Sequence, residues 1–427
     1  MTITRSAPER GLVGNSVALL AASQITAVLG YAFWMLCARV FSPAVIGVTN
    51  TVISAMTLVA ILSVAGFIPM LPRLLPGASV EECGGLCSAT FIVTVGVSGI
   101  LGVAAGLAMP QRLHVAVGTG WLVSLLGSGA VGTALLLVIN SALLGVRRAE
   151  LSLIGSVVAS ASRLAAVAAV LTLGAFATGH DVSATHTVLV IWVSSLGVAS
   201  VLSVWLLGRA VPGLRFSPCA VSFSRLRRSA GWDHLATLAL RSPALSIPIL
   251  ASAHLPPTQV GYLVVAALIA SAFTAVPGAV SNALLATCAD DPARLREQAR
   301  RALLLIGVLL IAPVVITSLL SNQVLGFFGP GYADYSLLLV LLLLSTFPDA
   351  LVNVVLAILR VRRRLKMVAA VTVAGATITI TSTWLLLPHV GIFGAAVAVL
   401  GSQLFVAAML TTLVVRDRSL IAQPGTG

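Results

Sequence analysis

Asn140-Ser-Ala-Leu-Leu-Gly-Val-Arg-Arg148 closes one long apolar run of the chain, and Asn353-Val-Val-Leu-Ala-Ile-Leu-Arg-Val-Arg-Arg363 closes another. The two asparagines stand 213 positions apart in a sequence of 427 residues, almost half its length. At nearly the same offset, Phe41-Ser-Pro-Ala-Val-Ile-Gly47 matches Leu255-Pro-Pro-Thr-Gln-Val-Gly261, with the final glycines 214 apart. Two independent matches at one offset read as a duplication of half the chain.

What is duplicated follows from composition. Hydrophobic residues make up 59% and charged residues 9%, with a mean hydropathy of +1.09. A soluble domain carries roughly a quarter charged residues, so a soluble reading is excluded. Spanning a bilayer takes about 20 apolar residues as a helix, and the chain has room for about a dozen such spans and no sizeable extramembrane domain. Reading apolar runs between charge and Pro/Gly clusters predicts twelve helices, at about 14–38, 46–71, 86–109, 121–145, 151–176, 187–208, 233–253, 258–287, 302–322, 335–359, 367–387 and 392–415. The run that follows Arg10 is too long for the apolar core of a signal peptide and reads as a retained first span.

The cations support this count. With both termini cytoplasmic, 21 of the 25 Lys and Arg residues fall on the inner side. Arg39 and Arg112 alone are left outside, and Arg163 and Arg241 lie within spans. Basic loops resist translocation, so the split orients the chain, and a missed helix would scramble it. The net charge of +13 would suggest nucleic acid in a soluble protein. Here the runs Arg225 to Arg228 and Arg360 to Lys366 read as anchors on anionic membrane lipid, with no nucleic-acid partner. Five cysteines without paired Cys or His neighbours read as free thiols.

Six spans per copy is an even number, so both copies start on the same side. The expected architecture is an all-α polytopic membrane protein with two parallel six-helix repeats around a central cavity. The organisation is an N-terminal lobe over 1–208, a cytoplasmic basic linker over 209–232 and a C-terminal lobe over 233–427.

At this point the residues carry a family resemblance. Asn15 to Gly47, with its Ala38-Arg-Val-Phe-Ser-Pro43 turn, looks like the first helix and turn of bacterial polysaccharide flippases of the multidrug/oligosaccharidyl-lipid/polysaccharide exporter superfamily. Leu255-Pro-Pro-Thr-Gln-Val-Gly-Tyr262, Val276-Pro-Gly-Ala-Val-Ser-Asn282, Phe327-Phe-Gly-Pro-Gly-Tyr332 and Leu387-Pro-His-Val-Gly-Ile-Phe-Gly394 continue it in the family's order. The resemblance implies alternating access that carries an undecaprenyl-pyrophosphate-linked oligosaccharide to the outer leaflet. It also implies glycan-assembly partners such as a polymerase and glycosyltransferases. Lipid-II flippases of that superfamily commonly have fourteen spans, against twelve here. Major-facilitator carriers have twelve but place an Asp in the loop between helices two and three, which here reads Leu71-Pro-Arg-Leu-Leu-Pro-Gly77.

Charges inside spans are costly and mark candidate sites. Arg163 sits at the centre of helix five, preceded by Ser152, Ser156 and Ser160 at four-residue spacing, which makes one polar face. It is read either as a phosphate-binding cation, since a guanidinium matches phosphate bidentately, or as a structural group capping neighbouring carbonyls. Arg241 lies in helix seven just before Ser242-Pro243, with Pro248 following, and is a second candidate for the substrate unless it snorkels to the inner surface. Ser345, Asp349 and Asn353 are spaced four apart in helix ten, as a site for a coupling H+ or Na+ would require. A buried salt bridge from Asp349 to an arginine is the competing reading. Each intramembrane arginine costs roughly 2.5–3.5 kcal/mol at a helix centre, so two of them against one Asp ask for a further anion.

No phosphate-binding glycine loop, HExxH or nucleophile elbow occurs, so neither enzyme chemistry nor a cofactor is expected. Three functions remain. A flippase wants cationic groups, a cation-coupled small-molecule exporter of the same fold wants carboxylates and aromatics, and a non-transporting scaffold of a glycan-assembly complex needs no ionisable groups in its spans. Two arginines against one Asp favour the first.

Overall fold

The computed structural model describes residues 12–64, 66–172, 181–214, 232–288, 294–329 and 331–416. Every regular element among them is helical, as lipid demands, because helices satisfy their own backbone hydrogen bonds. Two compact units divide the chain, Met1–His234 and Leu235–Gly427. Most of the linker expected over 209–232 falls on 215–231, outside the described residues.

In the first unit α1 runs Leu12–Val40, α2 Pro43–Ser63, α3 Phe67–Leu74, α4 Val80–Leu107, α5 Gln111–Val117, α6 Thr119–Gly145, α7 Ala149–Thr172 and α8 Asp181–Ala210. The expected second span over 46–71 is thus two helices. Gly66, at φ 84, interrupts it in the left-handed region that glycine reaches without cost. The second unit comprises α9 Trp232–His254, α10 Pro257–Cys288, α11 Leu295–Leu319, α12 Ser321–Gly326, a 3-10 turn at Ala333–Tyr335, α13 Ser336–Leu344, α14 Thr346–Val361, α15 Leu365–Val390 and α16 Ile392–Arg416.

Eleven spans are long and apolar enough to cross a membrane, with α13 and α14 counted together; α1, 29 residues long, completes the expected twelve. The outward faces are what lipid requires: Ile100, Val201, Val308 and Leu319 are at least 72% exposed. Cys37, Cys83, Cys87 and Cys288 are buried and in no disulfide, while Cys219 lies outside the described residues.

Both repeat signals take the same form in each unit. Phe41 N–H donates to Cys37 O at 2.8 Å and Leu255 N–H to Ala251 O at 2.7 Å, and two residues later Pro43 and Pro257 open the next helix. Proline is suited to that first position, where its missing N–H has no partner to lose. At the other signal Arg147 and Arg363 adopt φ 58 and 55. Arg148 N–H reaches back to Leu143 O and Arg147 N–H to Leu144 O, at 2.9 and 3.0 Å. Arg364 to Leu359 and Arg363 to Arg360 reproduce the pattern, both at 2.9 Å. This paired 6→1 and 5→2 closure normally uses glycine at the left-handed position; here arginine holds it twice.

The fourth span is the hub of each unit. In the first, α6 packs on α2, α3, α4, α7 and α8. In the second, α13 and α14 together pack on α10, α11, α15 and α16. The α4–α6 contact is close because Gly102 and Gly106, four residues apart, face it; a Cβ on Gly102 would lie 2.8 Å from Gly127 Cα, and one on Gly106 2.9 Å from Val123 Cα. Small residues at this spacing let helix backbones approach in a membrane. The cores are apolar: Leu71, Cys83, Leu86, Val138, Ile139 and Leu143 in one unit, Val352, Leu356, Leu359, Val368, Val371 and Leu410 in the other.

Candidate substrate site

Arg163 lies near the middle of α7, with the serine face of that helix turned into the unit. Ser152 and Ser160 are buried, and Ser156 Oγ accepts from Asn140 Nδ2 of α6 at 3.3 Å. Gly155 allows α8 to come close, since a Cβ there would meet Ser203 Oγ. The α7–α8 register set by these small and polar residues brings two side chains of α8 to Arg163. Its guanidinium carbon stands 3.8 Å from the centre of the Trp192 ring. Its Nε donates to Ser195 Oγ at 2.7 Å, and Ser195 Oγ in turn donates to Trp192 O at 2.7 Å. Trp192 is backed by Phe33 and Trp34 of α1, with ring centres 5.7 and 6.1 Å away, and both α1 rings are buried.

A cation over a desolvated tryptophan gains about 2 kcal/mol, and a hydrogen bond to a charged donor about 1.5–3 kcal/mol. These offset the roughly 2.5–3.5 kcal/mol of placing an arginine at mid-membrane. Arg163 is therefore held without an anion, and the cost argument that asked for a bound one does not apply to it. The arrangement leaves Nη1 and Nη2 with no partner among the described residues. A half-buried guanidinium fixed through Nε and one face, with its terminal nitrogens free, can take an oxyanion end-on.

Arg241 belongs to α9, in the second unit. That helix runs unbroken through Pro243 and Pro248. The Arg241 side chain is exposed and has no hydrogen-bond or ion-pair partner among the described residues.

Asp349 stands in the first turn of α14, where the helix dipole favours an anion. Its carboxylate accepts from Asn353 Nδ2 at 3.0 Å, and the same amide donates to Asp349 O at 2.9 Å. Asp349 forms no ion pair among the described residues of its unit. Ser345 does something else. Pro348 has no N–H for the Leu344 carbonyl, so the tenth span breaks at Ser345. The hydroxyls of Ser345 and Thr346 donate to Leu342 O and Leu343 O, each at 2.6 Å, supplying carbonyls at the break. The Ser345 hydrogen is thus spent on its own helix, its oxygen lone pairs remaining available, while Asp349 and Asn353 form a pair.

Trp192 and Ser195 escaped the sequence reading. Trp192 lies about 16 Å into α8 at 1.5 Å per residue, deep for a residue usually placed at the membrane interface, and that depth was the available signal. Among the described residues no group of three or more His, Cys, Asp or Glu is placed to hold a metal ion.

No family model and no curated protein matches the sequence. Solved structures do. A multidrug resistance MATE family transporter of the MOP superfamily in an inward-facing conformation is 14% identical over 95% of this chain and 98% of its own, at a TM-score of 0.67. The lipid II flippase MurJ, inward closed, is 14% identical over 95% of this chain and 90% of its own, at 0.69. A MOP superfamily transporter from Pyrococcus furiosus, described as having a binding pocket of reverse polarity, is 15% identical over 99% and 98%, at 0.54. The chain has the fold of the MOP transporters. At this identity the likeness is one of fold, shared by proteins described as transporters and by one described as a lipid flippase.

Proposed function

We propose that this MOP-fold chain flips an undecaprenyl-pyrophosphate-linked oligosaccharide across the cytoplasmic membrane by alternating access, in the service of polysaccharide assembly. One observation carries the reading: Arg163 is oriented by Trp192 and Ser195 with Nη1 and Nη2 uncommitted, which suits the pyrophosphate of a lipid carrier and does not suit a cationic drug. The fold shared with a lipid II flippase is in keeping with a lipid-linked substrate. In this reading Arg241 is a second cation for the headgroup, both termini are cytoplasmic, the lobes are 1–208 and 233–427, and the basic linker 209–232 lies on the inner leaflet. Glycosyltransferases and a polymerase act beside it. The test is inner-leaflet accumulation of the lipid-linked glycan in cells carrying Arg163→Ala, Arg241→Ala or Arg163→Lys at parental membrane levels. Accumulation is expected for all three, with Lys failing because it is a point charge that cannot bind bidentately. Parental flipping by both Ala variants refutes the reading.

A cation-coupled small-molecule exporter of the same fold is favoured by a different observation, the Asp349–Asn353 pair without an arginine partner among the described residues of its unit. A monovalent ion, H+ or Na+, would compete there for the carboxylate, and the same coupling would drive a flippase.

A further inference from the structure

Resting on the pyrophosphate reading of Arg163, we infer that Ser195 and Trp192 are positioning residues that decide which face of the guanidinium meets the ligand. A guanidinium has two edges that can grip an oxyanion in parallel: the side edge, Nε with one Nη, and the end edge, Nη1 with Nη2. The 2.7 Å bond from Nε to Ser195 Oγ occupies the side edge. The Trp192 ring, 3.8 Å away, covers one face and fixes the plane. Ser195 cannot swing aside freely, because its own hydrogen is spent on Trp192 O at 2.7 Å. Trp192 is held in turn against Phe33 and Trp34. Only the end edge remains for a ligand, and it is oriented before the ligand arrives. A long side chain ordered in advance does not lose that freedom on binding, which is where preorganisation raises affinity. The intramembrane arginine is therefore one part of a three-residue device in which Trp192 and Ser195, three apart on α8, set the aim.

The experiment uses the full chain in lipid nanodiscs and geranyl pyrophosphate as the probe, with affinity measured by calorimetry. Ser195→Ala removes the Nε acceptor and should weaken binding about tenfold, the size of one hydrogen bond to a charged group. Ser195→Thr restores the hydroxyl and should return affinity to within about threefold of the parent. Trp192→Leu should weaken binding about threefold to tenfold and Trp192→Phe less, following the order of cation–π strength. Ser195→Cys keeps the volume and is a poor acceptor, so it serves in place of Ala should Ala fail to insert. The deciding measurement is the double-mutant cycle: in an Arg163→Ala background, Ser195→Ala should cost nothing further. An equal loss with and without Arg163 makes Ser195 a packing residue and overturns the inference. Parental affinity for Ser195→Ala and Ser195→Cys while Arg163→Ala binds weakly also overturns it and leaves the pyrophosphate reading standing. Parental affinity for Arg163→Ala removes that reading itself.

Discussion

Gly102→Ala tests the closest helix contact of the first unit. The new methyl would lie 2.8 Å from Gly127 Cα, 3.2 Å from Leu126 O and 3.3 Å from Ala130 Cβ. Carbon atoms rest about 3.5–4.0 Å apart, so α4 and α6 must part by roughly 1 Å at this level. The backbone of Gly127 cannot step aside as a flexible side chain would. One turn on, Gly106 meets Val123 Cα just as closely, so pivoting about the second contact is blocked. Parting by this much forfeits about a quarter to a half of each lost contact's well, and overpacking of a tight interface costs about 1–3 kcal/mol. Because α6 also carries α2, α3, α7 and α8, more than the minimum of that range is expected, about 2 kcal/mol. For a unit of this size that lowers the melting midpoint by about 4–8 °C, read by thermal unfolding in detergent with a tertiary-structure probe. Gly96→Ala is the control on the same helix: a Cβ there meets nothing within 4 Å, and the gain in helix propensity, about 0.8–1 kcal/mol at most, should leave the midpoint unchanged or raised. A Gly102→Ala protein that melts at or above the parental temperature, or that shifts together with Gly96→Ala, refutes the tight α4–α6 contact.

Reporter fusions after Gly120 and Pro388 should read outside and one after Ala149 inside; a reversal at any of them sinks the orientation taken from the charge split. Asp349→Asn should fold, because an amide oxygen can still accept from Asn353 Nδ2, at a cost of about 1 kcal/mol for exchanging a charge-assisted bond for a neutral one. Gradient-driven transport in vesicles should fall sharply, and normal transport would reduce Asp349 to a structural acceptor. Arg163→Lys should insert normally yet lose most flipping, measured as inner-leaflet glycan, since one ammonium cannot stack on Trp192 and offer two parallel donors as well.

Twelve spans were legible because apolar runs and cations are summed over many residues, and such sums tolerate local error. The breaks were not. Gly66 sits in an apolar run like any other intramembrane glycine, and only its φ of 84 distinguishes it. The repeat was legible through its turns, but its asparagines mislead on register: Asn140 stands five residues before the helix end at Gly145, and Asn353 eight before the end at Val361. What the two units share is the turn, with Arg147 and Arg363 in equal conformations. Arg163 stood out as a lone cation, yet its partners lie 29 and 32 residues further on, across a loop, and finding them requires the α7–α8 register. The four-residue spacing of Ser345, Asp349 and Asn353 reports a shared face and not where the Ser345 hydrogen is donated. Pro348, three residues after Ser345, was the clue to the break, since it leaves the Leu344 carbonyl without its helical N–H.

The two hub spans differ in one mechanical respect. In the first unit α6 is an unbroken rod of 27 residues; in the second the corresponding span is a beam of 9 residues and one of 16, meeting at a joint. At the joint the Ser345 and Thr346 hydroxyls donate to the Leu342 and Leu343 carbonyls, while the carbonyl that Pro348 leaves without its helical N–H is that of Leu344. Bending the first hub would strain an unbroken ladder, whereas the second already lacks the bond from residue 348 to Leu344 O. The two units thus share their turns and differ in the continuity of their hubs.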